Sequence, residues 1–475
     1  MEQTVHATLA QVLPVLAPAG ARLEGRLDTP FVGVTTDSRQ AGIGALFVAL
    51  RGERFDAHDF LSDVARQGVA AVIVEALPEG WDENKVAAIV VPDTLAALGR
   101  IANFWRRQFD LPVIGVTGSN GKTTVKEMLS SILAAAFGEQ DRLATRGNLN
   151  NEIGVPLTLF RLAAHHDAAV IEMGMNHPGE IARLAAIAEP TVAMVNNAQR
   201  EHQEFMHTVE AVARENGAVL AALPVDGVAV FPHGDEFTPL WQALAGDRRV
   251  IRFGLSKDAE VSCTYRAAEG FGSDLFVSVR DEQGDLRQFF VGLQAAGEHN
   301  VKNALAAVAC AVGAGIKLDA IKQGLEAFAP VAGRLQQKRA MNGATVIDDT
   351  YNANPDSARA AIDVLAQAGA PRILVLGEMG EVGTQGQQFH EEIGAYAAAK
   401  GIEHVLATGG LTRHMTSAAG TVVEYFEQFD GLLAALDAHL AAQSDATVLI
   451  KGSRFMKMER AVQHLIGSNN NKEAH

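Results

Sequence analysis

A three-part α/β architecture is predicted, with a doubly wound sheet carrying a phosphate-binding loop at its centre and smaller α/β units on either side. Three observations lead there. The run Leu111-Pro-Val-Ile-Gly-Val116 is apolar, β-branched and ended by small residues, as a short buried strand requires. It runs into Gly115-Val-Thr-Gly-Ser-Asn-Gly-Lys-Thr-Thr124, after which Val125, Met128, Leu129 and Ile132 recur at helical spacing. Strand and helix patterns alternate on both sides of this unit, and 475 residues are too many for one core, which suggests about three domains.

The glycine loop therefore joins a strand to a helix, the context a phosphate-binding loop requires. Successive backbone N–H groups and the positive end of the helix cradle phosphate oxygens, and glycine lets the backbone approach closely. In Thr117, Gly118, Ser119, Asn120, Gly121, Lys122, Thr123 and Thr124, Lys122 is placed to reach terminal phosphates and the Thr123 hydroxyl to hold Mg²⁺. The first glycine of the pattern sits one residue early, with Val116 in its place. A nucleoside triphosphate is the expected ligand.

Residues 1–108 form the first segment. Its strand-like runs are Phe31 to Arg39, Ala45 to Leu50 and Val69 to Val74, with helical patterns at 60–67 and 94–109. Thr36, Asp37, Ser38 and Arg39 gather hydroxyls, an acid and a base at a strand end, and residues 52–59 follow the next strand. Each is a candidate binding loop or a plain turn.

Residues 109–330 continue the alternation. Ala168-Ala-Val-Ile-Glu172 is a buried strand ending in an acid, the natural Mg²⁺ partner of a phosphate loop, although Glu172 could instead cap the next turn. Thr191 to Asn196 is a third strand and runs into Asn197-Ala-Gln-Arg-Glu-His202. Between Val250 and Val291 aromatic and β-branched residues alternate with polar ones, which predicts an antiparallel insertion or edge. Residues 297–303 open an alanine-rich helix. Residues 331–475 repeat strand–helix units, with strands at 345–348, 372–376, 404–407 and 447–450 and helices near 356–369, 387–400 and 430–442. That reads as a Rossmann-like sheet without a dinucleotide fingerprint, followed by a polar tail expected to fray.

The composition is globular: 48% hydrophobic, 20% charged, with no apolar run long enough to span a bilayer. The first residues lack a signal peptide's basic start and hydrophobic stretch. Cys263 and Cys310 make neither a disulfide framework nor a metal cluster, and a cytoplasmic protein is expected. A net charge of −16 argues against nucleic acid and anionic membranes as partners, while leaving acidic substrates possible where local cations dominate.

Motifs along nearly the whole chain resemble one family, the Mur ligases of peptidoglycan synthesis. They are Thr36-Asp-Ser-Arg39, Leu46-Phe-Val-Ala-Leu-Arg-Gly-Glu-Arg-Phe-Asp-Ala-His-Asp-Phe60, the 117–124 loop, and Gly147-Asn-Leu-Asn-Asn-Glu-Ile-Gly-Val-Pro156. Further on come His299-Asn300 with Asn303, Asp348-Asp-Thr-Tyr-Asn-Ala-Asn-Pro355, Leu376-Gly-Glu-Met-Gly380 and Lys451-Gly-Ser-Arg454. The resemblance implies three domains: a UDP-sugar-binding one at 1–108, an ATP-binding one at 109–330 and a Rossmann-like ligase one at 331–475. Within the family the chain looks most like the members that add D-alanyl-D-alanine to UDP-N-acetylmuramoyl-tripeptide with ATP and Mg²⁺, through an acyl phosphate. A monomer is expected.

Roles follow from the resemblance residue by residue. Lys122 and His202 are implied in catalysis, and Thr123, Glu172 and His202 in metal binding. Asn300 and Asn303 match the nucleotide-base region, and Arg334 and Asp349 match further ATP contacts. Thr36 to Arg39 match the UDP-sugar site, Asn148, Asn150 and Asn151 the muramoyl-peptide loop, and Asn352, Asn354 and Arg454 the incoming dipeptide. One departure stands out. Many family members carry a carbamylated lysine where this chain has Asn216, so Glu215, Glu204 or a weaker second metal site must substitute.

The rival within the family, the diamino-acid-adding enzyme, would bring an Asp-Asn-Pro-Arg motif that is absent; the nearest string is Asn352-Ala-Asn-Pro355. Folylpolyglutamate synthase lacks the first segment. A regulatory GTPase would show Asn-Lys-x-Asp, also absent, and a non-catalytic ATP-binding scaffold leaves the other motifs without a purpose.

Overall fold

The computed structural model describes residues 5–52, 55–268, 270–443 and 445–467. The tail beyond Gly467, and Glu53 and Arg54 of the second N-terminal loop, lie outside the described residues. Three main sheets succeed one another along the chain. The first has five strands, in the order Arg22–Glu24, Ala87–Val90, Ala71–Val74, Leu46–Val48 and Val34–Thr35, parallel except for the first pair. A separate antiparallel pair, His6–Thr8 with Pro30–Val32, brackets the first of these strands in the chain. The strand predicted over 31–39 stops at Thr35, because Asp37 turns the chain by accepting the Arg39 backbone N–H at 3.0 Å.

The central sheet has nine strands. Arg142–Ala144, Ala168–Glu172, Val113–Thr117, Val192–Val195, Val228–Pro232, Arg249–Gly254 and Val261–Ala268 run parallel. Gly272–Arg280 and Leu286–Leu293 complete it as an antiparallel meander. The alternating stretch of the sequence is thus an edge of this sheet. It begins only after Arg249–Gly254, which is still part of the parallel core.

Val113–Thr117 is buried throughout, as is Ala168–Glu172, because both faces of a parallel sheet are covered. Alternate residues go to opposite layers. Ile114, Val116, Val170 and Met194 pack with Val125, Met128, Leu129 and Ile132 of the helix Lys122–Phe137. Val113, Ala169, Ile171 and Val195 face a layer shared with the helix Thr94–Arg106 and the N-terminal residues. Each fully buried Val, Leu, Ile or Met contributes roughly 1.5 to 3 kcal/mol, so a charge at Leu129 would break the packing that aims the phosphate loop. The helix Thr94–Arg106 is pinned by polar bonds as well: Trp105 Nε1 donates to the Leu162 carbonyl at 3.1 Å, and Arg106 Nε to that of Ala188 at 3.1 Å.

The third sheet has the order Gln336–Arg339, Thr345–Asp349, Thr447–Lys451, Arg372–Gly377, His404–Thr408 and Val423–Phe426, parallel but for its first strand. The last strand of the chain inserts between the second and third of this segment, which creates a switch point there. Helices Pro355–Ala366, Gly386–Ala399 and Phe429–Ala442 cover it, close to the predicted bounds. Among the described residues no helix is long and apolar enough to cross a membrane.

Candidate active site

Register alone brings the first groups together. Glu172 lies opposite Val116, and Val195 opposite Thr117, so three parallel strands end around the phosphate loop. Gly118 and Gly121 adopt φ of +132° and +83°. A Cβ on Gly121 would strike the Asn303 amide and come within 2.5 Å of Asn196 Nδ2, so only glycine fits there. The Gly118 N–H donates to Asn216 Oδ1 at 2.9 Å, the Thr117 hydroxyl to the Met194 carbonyl at 2.9 Å, and the Asn120 N–H to Asn197 Oδ1 at 2.9 Å. The loop is thus held by its neighbours, with Ser119, Gly121 and Thr124 facing the cleft beside it.

Lys122 Nζ donates to the carbonyls of Gly118 and Ser119 and lies 3.5 Å from Glu201 Oε2. The Thr123 hydroxyl donates to Glu172 Oε1 at 3.2 Å and accepts from Arg334 Nη2 at 2.9 Å. Asn150 Nδ2 donates to that same Glu172 oxygen at 2.9 Å, while Glu172 Oε2 is buried with no hydrogen-bond partner among the described residues. A buried carboxylate oxygen left unpaired is costly unless a cation serves it. Asn300 and Asn303 are buried at the start of the helix Glu298–Gly313, and Asn303 Oδ1 accepts from Asn196 Nδ2 at 2.8 Å.

The C-terminal sheet contributes from its own strand ends. Asp349 and Lys451 are register partners, with Lys451 Nζ 2.6 Å from Asp349 Oδ2 and 2.9 Å from the Asn352 carbonyl. Burial raises the Asp349 carboxyl, with Lys451 and Arg334 working against it. Arg334 stacks 4.1 Å over the Tyr351 ring; Arg454 is more exposed, 6.0 Å from the same ring. Burial beside Lys451 pushes the His299 imidazole down to about 4.

Polar ties hold this sheet against the phosphate loop and the segment after Val192–Val195. Asn354 Nδ2 donates to Asn120 Oδ1 at 2.9 Å, and Arg334 reaches Thr123 as above. His202 Nδ1 lies 2.7 Å from Glu381 Oε2, and His202 holds the Glu381 carboxyl below its usual range. Arg200 pairs with Asp356 at 2.7 Å and Glu392 at 2.8 Å. Burial opposes the Arg200 charge, but the two carboxylates outweigh it and raise the group.

One cleft of about 2430 Å³ is lined by most of the residues singled out in the sequence, including Asn148, Asn150, Asn151, Asn352, Asn354 and Arg454. Thr36, Asp37, Ser38 and Arg39 are not among its lining residues. Arg39 there forms a two-point pair with Asp37 at 2.9 and 2.8 Å. Asn151 Oδ1 accepts the Ile153 and Gly154 N–H groups at 3.2 and 2.8 Å, in the turn that leads into the helix Gly154–Leu159.

Of the three readings offered for the missing lysine, namely Glu215, Glu204 or a weaker second metal site, the structure speaks against Glu215. Both Glu215 oxygens accept backbone N–H groups at 2.8 Å, from Gly179 and Ile181, and so cap the helix Glu180–Ala188. Glu204 is exposed, and Asn216 grips the loop itself. The carboxylate beside His202 is Glu381, from the distant C-terminal sheet. Arg200, Glu201, Tyr351, Glu381 and Lys451 also line the cleft without having been assigned from the sequence. Lys451 stood in a quoted motif, but nothing in that motif reveals that it would face Asp349.

Comparison with known proteins matches residues 116–311 to the Mur ligase middle domain, 333–454 to the Mur ligase glutamate ligase domain and 30–106 to the Mur ligase family catalytic domain. The chain is 38% identical to UDP-N-acetylmuramoyl-tripeptide–D-alanyl-D-alanine ligase of Escherichia coli over 97% of its own length and 98% of the relative. With the Bacillus subtilis enzyme of that description it shares 35% over 92% and 93%. Its fold superimposes on a crystal structure of MurF from Acinetobacter baumannii with a TM-score of 0.90 at 34% identity, covering 98% of this chain and 100% of that one. For MurF ligase from Thermotoga maritima in complex with ADP the TM-score is 0.81 at 26% identity, covering 91% and 97%.

Proposed function

This chain belongs to the Mur ligase family, and from that premise we propose that it uses ATP to join D-alanyl-D-alanine to the carboxyl end of UDP-N-acetylmuramoyl-tripeptide. The observation that carries the reading is the convergence of the phosphate loop, Glu172, His202, Arg334 and the Asp349–Lys451 pair on one cleft. A nucleotide-binding switch needs no second sheet of polar groups facing its terminal phosphate. A ligase does, because a second substrate must meet that phosphate.

The tripeptide carboxylate attacks the γ-phosphorus, the bond to ADP breaks, and an acyl phosphate forms. The dipeptide amine then attacks the acyl carbon, phosphate departs and the amine loses its proton. Negative charge builds up on the transferring group, and Lys122 and Arg334 are the cations of this chain that oppose it. Asn300 and Asn303 belong to the adenine side of the site. Asn148, Asn150 and Asn151 orient the muramoyl peptide, while Asn352, Asn354 and Arg454 receive the dipeptide. Thr36 to Arg39 take the UDP-sugar.

The unpartnered Glu172 oxygen beside the Thr123 hydroxyl fits Mg²⁺, which prefers oxygen ligands. Mg²⁺ there would neutralise phosphate charge, and His202 would serve a second ion with Glu381 as its neighbour. In the same proposal residues 1–108 hold the UDP end, 109–330 hold ATP and 331–475 close over both, shielding the acyl phosphate from water. One chain acts alone in the cytoplasm, where ATP is supplied; the two free, buried cysteines accord with a reducing compartment.

Phosphate release from ATP tests the reading. It is expected to need both UDP-N-acetylmuramoyl-tripeptide and D-alanyl-D-alanine, and to vanish in Lys122→Ala. Release with UDP-muramoyl-dipeptide and a free diamino acid instead would move the enzyme one step back. Tight ATP binding with no release by either pair would sink the ligase reading.

A further inference from the structure

Outside the cleft, the C-terminal sheet gathers a second set of metal-binding side chains. His404 opens the strand His404–Thr408, Glu424 lies on the neighbouring strand Val423–Phe426, and His439 is on the helix Phe429–Ala442. Glu424 is register partner to Leu406. Because strand side chains alternate, His404, Leu406 and Glu424 share one face. Leu406 packs there against Leu432, Leu436 and Leu440 of the helix, so the helix delivers His439 to the same face. The His404 and His439 ring centres are 4.2 Å apart, and His439 Nε2 is 2.9 Å from Glu424 Oε1.

We propose that His404, Glu424 and His439 bind a divalent cation of the zinc class. One donor atom from each lies within 4.8 Å of the other two. A tetrahedral Zn²⁺ with bonds of 2.0 to 2.2 Å spaces its ligands by about 3.4 Å, so rotations moving a donor by about 1 Å complete the set. Two imidazole nitrogens and one carboxylate oxygen suit Zn²⁺, Ni²⁺ or Cu²⁺, and leave a fourth position to water. Mg²⁺ and Ca²⁺ prefer oxygen-only sites.

Two features set this cluster apart from an ordinary His–Glu pair. The Glu424–His439 bond accounts for only two of the groups, and among the described residues the His404 ring has no hydrogen-bond partner. Glu403, next to His404 in sequence, is taken by Arg372 at 3.0 and 2.8 Å, which leaves Glu424 as the carboxylate available to the histidines. The site is separate from the reaction. His404 starts its strand, whereas cleft residues Gly380, Glu381 and Lys451 lie at or beyond the opposite ends of the strands Arg372–Gly377 and Thr447–Lys451 of the same sheet, about 13 Å away along a five-residue strand. A bound cation would tie the helix Phe429–Ala442 to two strands and stabilise that half of the sheet.

The test uses the full-length protein, stripped with chelator and held in excess Mg²⁺ to fill oxygen sites. Zn²⁺ is titrated in competition with a chromophoric chelator. Wild type should bind one equivalent more than His404→Ala or His439→Ala, or bind it about 100-fold more tightly, and Zn²⁺ should raise the melting temperature of wild type only. Co²⁺ in place of Zn²⁺ should give the visible absorption of a four-coordinate ion in wild type and lose it in both variants. Unaltered phosphate release shows that the variants are folded, and Glu424→Gln, which keeps the side-chain shape, should also weaken Zn²⁺. Equal Zn²⁺ binding by wild type and either histidine variant overturns the proposal.

Discussion

Replacing Arg200 with alanine removes the most heavily charged tie between the phosphate-loop segment and the C-terminal sheet. The guanidinium donates to Asp356 at 2.7 and 3.2 Å and to Glu392 at 2.8 and 3.2 Å, and it lies 5.2 Å from the Phe389 ring. The three charged side chains are 22%, 21% and 30% exposed, midway between a surface pair worth at most about 1 kcal/mol and a buried one whose disruption costs about 3 to 5. The carboxylates left behind are partly served. Asp356 still accepts the Arg200 backbone N–H at 2.9 Å and sits in the first turn of its helix, and Glu392 keeps Arg359 at 2.8 Å. The net loss of docking free energy is therefore about 2 to 3 kcal/mol, equivalent to about 30- to 150-fold. Steady-state phosphate release should show that drop in kcat/KM for the tripeptide and the dipeptide. ATP affinity, measured by calorimetry, should change by less than about threefold, because the Arg200 side chain does not touch the phosphate loop. Combining Arg200→Ala with Asp356→Asn should cost clearly less than the sum of the two. A kcat/KM within about threefold of wild type, or ATP affinity falling as far as the rate, would refute the reasoning.

Gly121→Ala should abolish ATP binding and lower the melting temperature, since its Cβ meets the Asn303 and Asn196 amides and its φ of +83° is left-handed; calorimetry and thermal denaturation read both. Glu172→Gln should leave the fold intact, because the amide oxygen can still accept from Thr123 and Asn150, yet raise the Mg²⁺ concentration for half-maximal phosphate release by at least about tenfold. His299 protonates near 4 when folded and near its ordinary 6.5 when unfolded. The unfolded chain thus takes its proton first, and stability should fall as pH drops from about 6.5 to 4, by on the order of 2 kcal/mol. Denaturant titrations of His299→Gln should show a shallower pH dependence across that window; an unchanged slope would contradict the neutral imidazole.

Local signals carried much of this protein. Gly118 and Gly121 are dictated by backbone geometry, the buried strands by runs of apolar residues, and the helix Lys122–Phe137 by its spacing, and all of these act over a few neighbours. That Thr123 and Glu172 would lie together was readable because the strand ending in Glu172 was read beside the phosphate loop. Short edge elements were not readable. Arg22–Glu24, Gln336–Arg339 and Val423–Phe426 have no more than four residues each and mixed burial, too little for periodicity to register.

What only the tertiary structure decided are pairings between distant charges. Nothing in residues 212–217 reveals that Glu215 caps a helix and Asn216 grips the phosphate loop, while Glu381 of another sheet comes to His202. Likewise Asp349 meets Lys451, and Arg200 meets Asp356 and Glu392, only because the last strand inserts beside Thr345–Asp349 and the sheet then docks over the loop. The sequence by itself determined which chemistry each segment can offer, since backbone conformation and burial follow from nearby residues. Which groups meet was left to topology and docking, because a charge's partner depends on distances in space that spacing along the chain does not encode.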